Sequence, residues 1–218
     1  MGGIRYESKD GVARVTIDYP ERLNAVADED WASLTAAFER ADADQTVGVI
    51  VLTGAGDRAF CTGGYLADFT EFDAERSRKV YRNSARAFNA IRKARQPVIA
   101  AVNGFAIGGG NELVIACDLA IASDRAKLGQ VGPKVGSVPV FGATNLHALN
   151  LGEKKAKEVV FLCRQYSAQE ACDLGWINKV VPHDQLTAEV DQWCQELLDR
   201  IAEHVLKNPA CIRMRQSP

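Results

Sequence analysis

The sequence predicts an α/β layered fold, and three observations predict it. Continuous apolar runs of strand length recur, as at Val47 to Thr53 and Pro97 to Asn103, which is how a buried strand reads. Longer segments that keep their apolar residues on one helical face alternate with those runs. Glycine-rich loops follow two of the runs, at the strand ends where layered α/β folds collect their working groups.

Each element follows in chain order. Ile4 to Ser8 and Val12 to Asp18 alternate apolar and polar residues about Asp10-Gly11, the pattern of a hairpin closed by a tight turn. Asp28 to Asp42 places Trp31, Leu34, Ala37 and Phe38 on one helical face, and Val47 to Thr53 follows as a strand. The unit then repeats as an amphipathic helix from Ala74 to Ala94, the strand Pro97 to Asn103, a glycine turn, an apolar helix over Asn111 to Cys117, and the strand Leu119 to Ser123. After Gly152 the pattern is mostly helical, with helices over Glu153 to Cys163, Ala168 to Leu174 and Asp184 to His204 and a short strand at Ile177 to Val181. Nothing reads as a linker or a low-complexity stretch. Residues 1–152 therefore form the core that carries the site, and 153–218 a mostly helical C-terminal region of the same single domain.

Composition narrows the ligand. The chain has 218 residues, 47% hydrophobic and 25% charged, enough apolar material for one sizeable core. Lys and Arg number 26 against 28 Asp and Glu, a balance that points away from nucleic acid and from anionic membrane surfaces and toward a small or cofactor-sized ligand. No apolar run approaches the roughly 20 residues needed to cross a bilayer, and Met1 to Gly11 lacks the apolar stretch of a signal peptide. A cytoplasmic location is the expectation. The six cysteines form no CxxC pair, a pattern of reduced, mostly buried thiols. With three dispersed histidines, no metal site is expected.

Two loops carry the chemistry: Gly54-Ala-Gly-Asp-Arg-Ala-Phe-Cys-Thr-Gly-Gly64 and Gly104-Phe-Ala-Ile-Gly-Gly-Gly110. Clustered glycines allow close backbone approach, so N–H groups at a helix start can face an oxygen that is gaining negative charge. Taken singly, either loop also reads as a mere turn. Gly108 to Leu113 begins like GxGxxG but ends in Leu113, and no GxxxxGK[ST] occurs, so neither a dinucleotide fingerprint nor a phosphate loop is present. Glu112 falls in the first turn of the helix after the second loop. It is either a carboxylate favoured there by the helix dipole or an acid beside the oxyanion donors, and the residues alone leave both readings open.

Ala59-Phe-Cys-Thr-Gly-Gly64, Pro97 through Leu113 and Cys117-Asp-Leu-Ala-Ile-Ala-Ser123 resemble the crotonase (enoyl-CoA hydratase/isomerase) superfamily. The likeness extends to Pro20-Glu-Arg-Leu-Asn-Ala25, Ser167-Ala-Gln-Glu-Ala171, Gly175 and Val180-Val-Pro182, and so runs along essentially the whole chain. It implies a spiral of ββα units with a mostly helical C-terminal part, which against the family pattern is shortened here. It further implies a homotrimer or dimer of trimers, an acyl-CoA thioester as substrate with CoA arriving as part of it, and no separate cofactor. The thioester oxygen would be held by the N–H groups of Gly64 and Gly109, with Glu112 as general acid/base. Ala25, Thr62, Gly63, Tyr65, Leu66, Gly108, Gln130, Gly132 and Ser137 complete the substrate- and CoA-binding set.

Subgroup markers are mixed. The second glutamate of enoyl-CoA hydratases falls near Gly132, within Gly129-Gln-Val-Gly-Pro-Lys-Val-Gly-Ser137, which resembles dihydroxynaphthoyl-CoA synthases and ketocyclohexanecarboxyl-CoA hydrolases. Pro139 stands where those enzymes carry an aspartate, and Val160 where some synthases carry a tryptophan. Gly136-Ser-Val-Pro-Val-Phe-Gly-Ala-Thr144 with Glu112 resembles oxocyclohexenecarbonyl-CoA hydrolases more closely. The resemblance thus implies hydration of an unsaturated acyl-CoA, with ring-opening C–C hydrolysis of a cyclic ketoacyl-CoA as the alternative. A CoA-binding scaffold without turnover is the alternative of another class. Tyr65 replaces the aspartate usual after the oxyanion glycine, as a pocket wall or a contact to the acyl group. Gln130 and Ser137 bond either substrate or loop backbone, and His147 reads as a packed or surface side chain.

Overall fold

The computed structural model describes residues 2–65 and 74–205. Strands β1 (Gly3–Lys9) and β2 (Val12–Asp18) form the expected hairpin about Asp10-Gly11. They are followed by α1 (Asp30–Ala43), β3 (Val49–Gly54), β4 (Ala59–Cys61), α2 (Ala74–Lys93), β5 (Val98–Val102) and β6 (Phe105–Ile107). Next come α3 (Gly109–Ala116), β7 (Leu119–Ser123), β8 (Lys127–Gly129), α4 (Leu146–Leu151) and α5 (Glu153–Leu162). The described chain ends through β9 (Gln165–Ser167), α6 (Ala168–Asp173), β10 (Lys179–Val181) and α7 (Leu186–Val205).

The strands make two sheets. A six-stranded sheet runs β1-β2-β3-β5-β7-β10, parallel except for the opening hairpin, and a four-stranded sheet runs β4-β6-β8-β9, antiparallel only at its β8-β9 edge. Successive strands therefore step from the large sheet to the small one: β3 to β4, β5 to β6, β7 to β8. This is the ββα spiral that the family resemblance implied. The residue pattern alone did not resolve the second sheet.

The apolar runs are explained by what covers them. In β3, Ile50 and Leu52 enter the core shared with α1, α2 and the small sheet, whereas Val49 and Val51 face the opposite side with Val190 and Cys194 of α7. A strand covered on both faces has no polar side to show, hence the continuous run instead of alternation. Burying side chains such as Leu34 and Phe38, both 0% exposed, contributes about 1.5–3 kcal/mol each. α1 buries Trp31, Leu34, Ala37, Phe38 and Ala41, the face read from the sequence.

The C-terminal region is less purely helical than its pattern. β9 extends the small sheet and β10 the large one, so both layers close on residues after Gly152. The strand read at Ile177 begins only at Lys179, and the last helix starts at Leu186 after a 3-10 turn over His183–Gln185. Ser167 starts α6 through a capping box: its Oγ accepts the Glu170 N–H at 3.3 Å while Glu170 Oε2 accepts the Ser167 N–H at 2.8 Å. The described cysteines are all free thiols, and Cys172 is the one among them that is not fully buried. Among the described residues no helix is long and apolar enough to cross a membrane.

Candidate active site

The two glycine turns meet. Gly63 and Gly64 follow β4, Gly108 and Gly109 follow β6, and β4 and β6 are adjacent parallel strands. A Cβ on Gly63, which has φ +92°, would lie 2.9 Å from Gly109 N, and one on Gly109 would lie 3.1 Å from Gly63 Cα. The backbones touch, so no side chain fits between them. Gly109 is the first residue of α3, where N–H groups have no intrahelical partner. Gly64 is flanked by ladder bonds that leave its own N–H out: Val26 N–H donates to Gly63 O at 2.8 Å and Tyr65 N–H to Val26 O at 2.9 Å. Among the described residues neither the Gly64 nor the Gly109 N–H donates to a protein acceptor. Such a pair of neighbouring donors can hold an oxygen that develops negative charge.

Glu112 lies one helical turn beyond the Gly109 donor and is 5% exposed. Its Oε1 accepts two backbone N–H groups, from Val140 at 2.7 Å and Phe141 at 2.8 Å. Burial raises its pKa to about 7, against the opposing pull of those two bonds. Among the described residues no neighbouring charge contributes to the shift. At neutral pH the carboxyl is thus present in both protonation states, the condition for one group to take and return a proton.

The other candidate residues fall at three depths. Ala25 and Thr62 join the glycine turns, Ala25 through the 20–25 loop and Thr62 through its Oγ1, which donates to Leu23 O at 3.2 Å. That loop carries Leu23 and Asn24 at φ 55° and 56°, a conformation pinned by the fully buried Asn24 side chain. Its Oδ1 accepts from Tyr19 N–H at 2.8 Å, and its Nδ2 donates to Ala55 O at 2.9 Å and Ala59 O at 2.6 Å. Gly108 caps α3 and donates its N–H to Gly129 O at 2.9 Å. Gln130 sits beneath the site, 2% exposed, with Oε1 accepting from Asn111 Nδ2 at 3.0 Å, and Asn111 Oδ1 in turn accepts from Trp176 Nε1 at 3.0 Å. Gly132 and Ser137 close a turn on the rim, Ser137 N–H donating to Gly132 O at 3.0 Å, with Ser137 exposed.

The Tyr65 ring faces Arg22, whose guanidinium carbon is 4.9 Å from the ring centroid, so it looks toward the 20–25 loop. Leu66 lies outside the described residues. His147 is fully buried against the Trp176 ring, 4.5 Å between centroids, and its pKa falls to about 4 through burial. Among the described residues no three His, Cys, Asp or Glu side chains gather as a metal ion would require.

Sequence reasoning missed Val140 and Phe141, because a backbone N–H carries no residue signature. It also passed over Arg22, although Pro20-Glu-Arg-Leu-Asn-Ala25 was in view.

Comparison with known proteins agrees with this architecture. The family model described as enoyl-CoA hydratase/isomerase matches residues 7–210. An enoyl-CoA hydratase/carnithine racemase from Magnetospirillum magneticum superposes with a TM-score of 0.86 at 30% identity, over 91% of this chain and 75% of that one. DspI of Pseudomonas aeruginosa superposes with a TM-score of 0.89 at 28% identity, over 98% and 84% of the two chains. For an enoyl-CoA hydratase subunit from Geobacillus kaustophilus the TM-score is 0.86 at 32% identity, over 99% and 83%.

Proposed function

The chain belongs to the enoyl-CoA hydratase/isomerase family, and from that premise we propose that it adds water across the conjugated double bond of an unsaturated acyl-CoA. The Gly64 and Gly109 N–H groups hold the thioester oxygen, and Glu112 moves the protons. Water attacks Cβ and gives its proton to the Glu112 carboxylate as charge gathers on the thioester oxygen; the resulting enolate then takes the proton back at Cα. Atoms balance with the acyl-CoA and water alone, so no cofactor is called on. The observation that carries this reading is a buried acid with a pKa of about 7 one helical turn from a pair of unspent donors. Ala25, Thr62, Gly63, Tyr65 and Gly108 flank the path by which CoA reaches them.

A second reading draws on the surroundings of Glu112. Among the described residues no other carboxylate perturbs it, and a single acid/base also suits moving a proton from Cα to Cγ and shifting the double bond.

Mass spectrometry of products from crotonyl-, 3-hexenoyl-, cyclohexenecarbonyl- and oxocyclohexenecarbonyl-CoA separates the cases. Gain of one water from the conjugated esters is the expected result. Isomer formation from the 3-enoyl ester without mass change supports the double-bond shift, and a ring-opened dicarboxylic product supports C–C hydrolysis. Binding of every ester without conversion overturns catalysis and leaves a CoA-binding scaffold.

A homotrimer or dimer of trimers is also proposed. Leu149, Phe161 and Leu162 on the packed helices α4 and α5 are 79%, 73% and 54% exposed, apolar side chains that a subunit contact would cover. Sedimentation velocity at micromolar concentration is expected to give three or six protomers; a monomer overturns this.

A further inference from the structure

The 20–25 loop is tied to the first glycine turn by a stack of charged and aromatic side chains. The Arg22 guanidinium carbon lies 3.6 Å from the Tyr19 ring centroid and 4.9 Å from that of Tyr65. Arg22 Nη2 donates to Asp30 Oδ2 at 2.6 Å. Asp30, the first residue of α1 and 7% exposed, also accepts the Tyr19 hydroxyl and the Ala27 N–H, the latter at 3.2 Å. Arg22 Nε is buried with no hydrogen-bond partner among the described residues. A planar cation bonded to a buried carboxylate and held against two aromatic rings has little freedom to reorient. Leaving a buried donor unsatisfied to keep that orientation is costly, and such groups call for an explanation.

The explanation lies at the far end of the stack. Tyr65 follows Gly64 directly, and the bonds from Val26 to Gly63 and from Tyr65 to Val26 leave the Gly64 peptide suspended between two anchored neighbours. The ring contact with Arg22 is a third anchor, on the side chain of one of those neighbours. We propose that Arg22 is a positioning residue for the Gly64 donor, acting through the Tyr65 ring, an inference that rests on the Gly64 N–H being a thioester donor. The guanidinium itself touches no reacting atom. It sets where the Gly64 N–H points by fixing the residue after it, and catalysis is sensitive to such placement: a 1 Å error costs on the order of 100-fold.

The test reads polarisation of the bound carbonyl apart from turnover. The absorbance maximum of para-dimethylaminocinnamoyl-CoA is expected to move to the red on binding the wild-type protein, because donors at the thioester oxygen pull charge along the conjugated chain. Arg22→Met is expected to bind the same ester within about threefold of the wild-type Kd, lose half or more of the red shift, and lower kcat on crotonyl-CoA by roughly 10- to 100-fold with KM little changed. Arg22→Lys keeps the charge beside Asp30 without the flat stacking group and should recover part of both signals; it also decides the matter if Arg22→Met does not fold. Tyr65→Leu should reproduce the loss, and the double variant should add nothing further, as expected of two residues on one path. Full red shift and kcat in both Arg22 variants, with only the melting temperature lowered, would overturn the positioning role, as would independent, additive losses in the double variant. A wild-type complex that binds the ester with no red shift overturns the donor assignment itself, and the two failures are thereby distinguished.

Discussion

Replacing Glu112 with Gln is expected to lower turnover by roughly two to four orders of magnitude while making the protein more stable at pH 8. The first effect follows, on the proposed mechanism, from removing the group that takes and returns a proton. The second follows from its titration. The carboxyl has an ordinary pKa of 4.5 that burial raises to about 7 in the folded chain, so above pH 4.5 the unfolded state gives up its proton while the folded state keeps it. Stability from this site is complete below pH 4.5 and is lost as pH rises through 7, by at most about 3 kcal/mol. A Gln at this position does not titrate, and its amide oxygen still accepts from Val140 and Phe141. Thermal melts of both proteins at pH 5 and pH 8 check the point: the gain should reach several degrees at pH 8 and shrink toward pH 5. Equal gains at both pH values would mean that Glu112 is not the buried acid described, and unchanged kcat would remove it from the mechanism.

The second large effect is expected at Gly110. A Cβ there would fall 1.8 Å from Cys61 O and 2.5 Å from Cys61 C, inside the backbone of β4, where no rotamer change gives relief. α3 can rest on β4 only through a residue without a side chain. Gly110→Ala is therefore expected to cost more than about 3 kcal/mol, seen as loss of soluble protein or a steep fall in denaturant midpoint. Gly3→Ala is the control, since a Cβ there meets nothing within 4 Å. If Gly110→Ala melts with the wild type, the close packing of α3 on β4 is wrong. By contrast, His147 costs stability at acid pH: its folded pKa of about 4 against 6.5 means stability is full above 6.5 and lost as pH falls toward 4.

Much of the large sheet was legible because its strands are covered on both faces and read as unbroken apolar runs; Leu119–Ser123 matches its predicted span to the residue. The small sheet was not legible, since β4, β6, β8 and β9 are three residues each, too short for any periodicity to register. α3 begins at Gly109, two residues before the predicted start, because glycine is a poor helix former on propensity alone and here its bareness is what lets the turns meet. For the candidate site, the glycine pairs and Glu112 were legible as residue types at a spacing. The Val140 and Phe141 contacts to Glu112 and the Arg22 stack were not, because each depends on which segments the spiral brings side by side.

That spiral has a consequence for how the pocket can vary. Gly64 follows β4 and Gly109 follows β6, and these strands are hydrogen-bonded neighbours, so the separation of the two proposed donors derives from the interstrand spacing of a sheet, about 4.8 Å, while side chains such as Arg22 and Tyr65 are left only the direction of an N–H to adjust. That separation behaves as a gauge built into the framework. Loops around the mouth can exchange residues, lengthen or change polarity, and the bound group will change with them, while the place offered to its oxygen stays where the ladder put it.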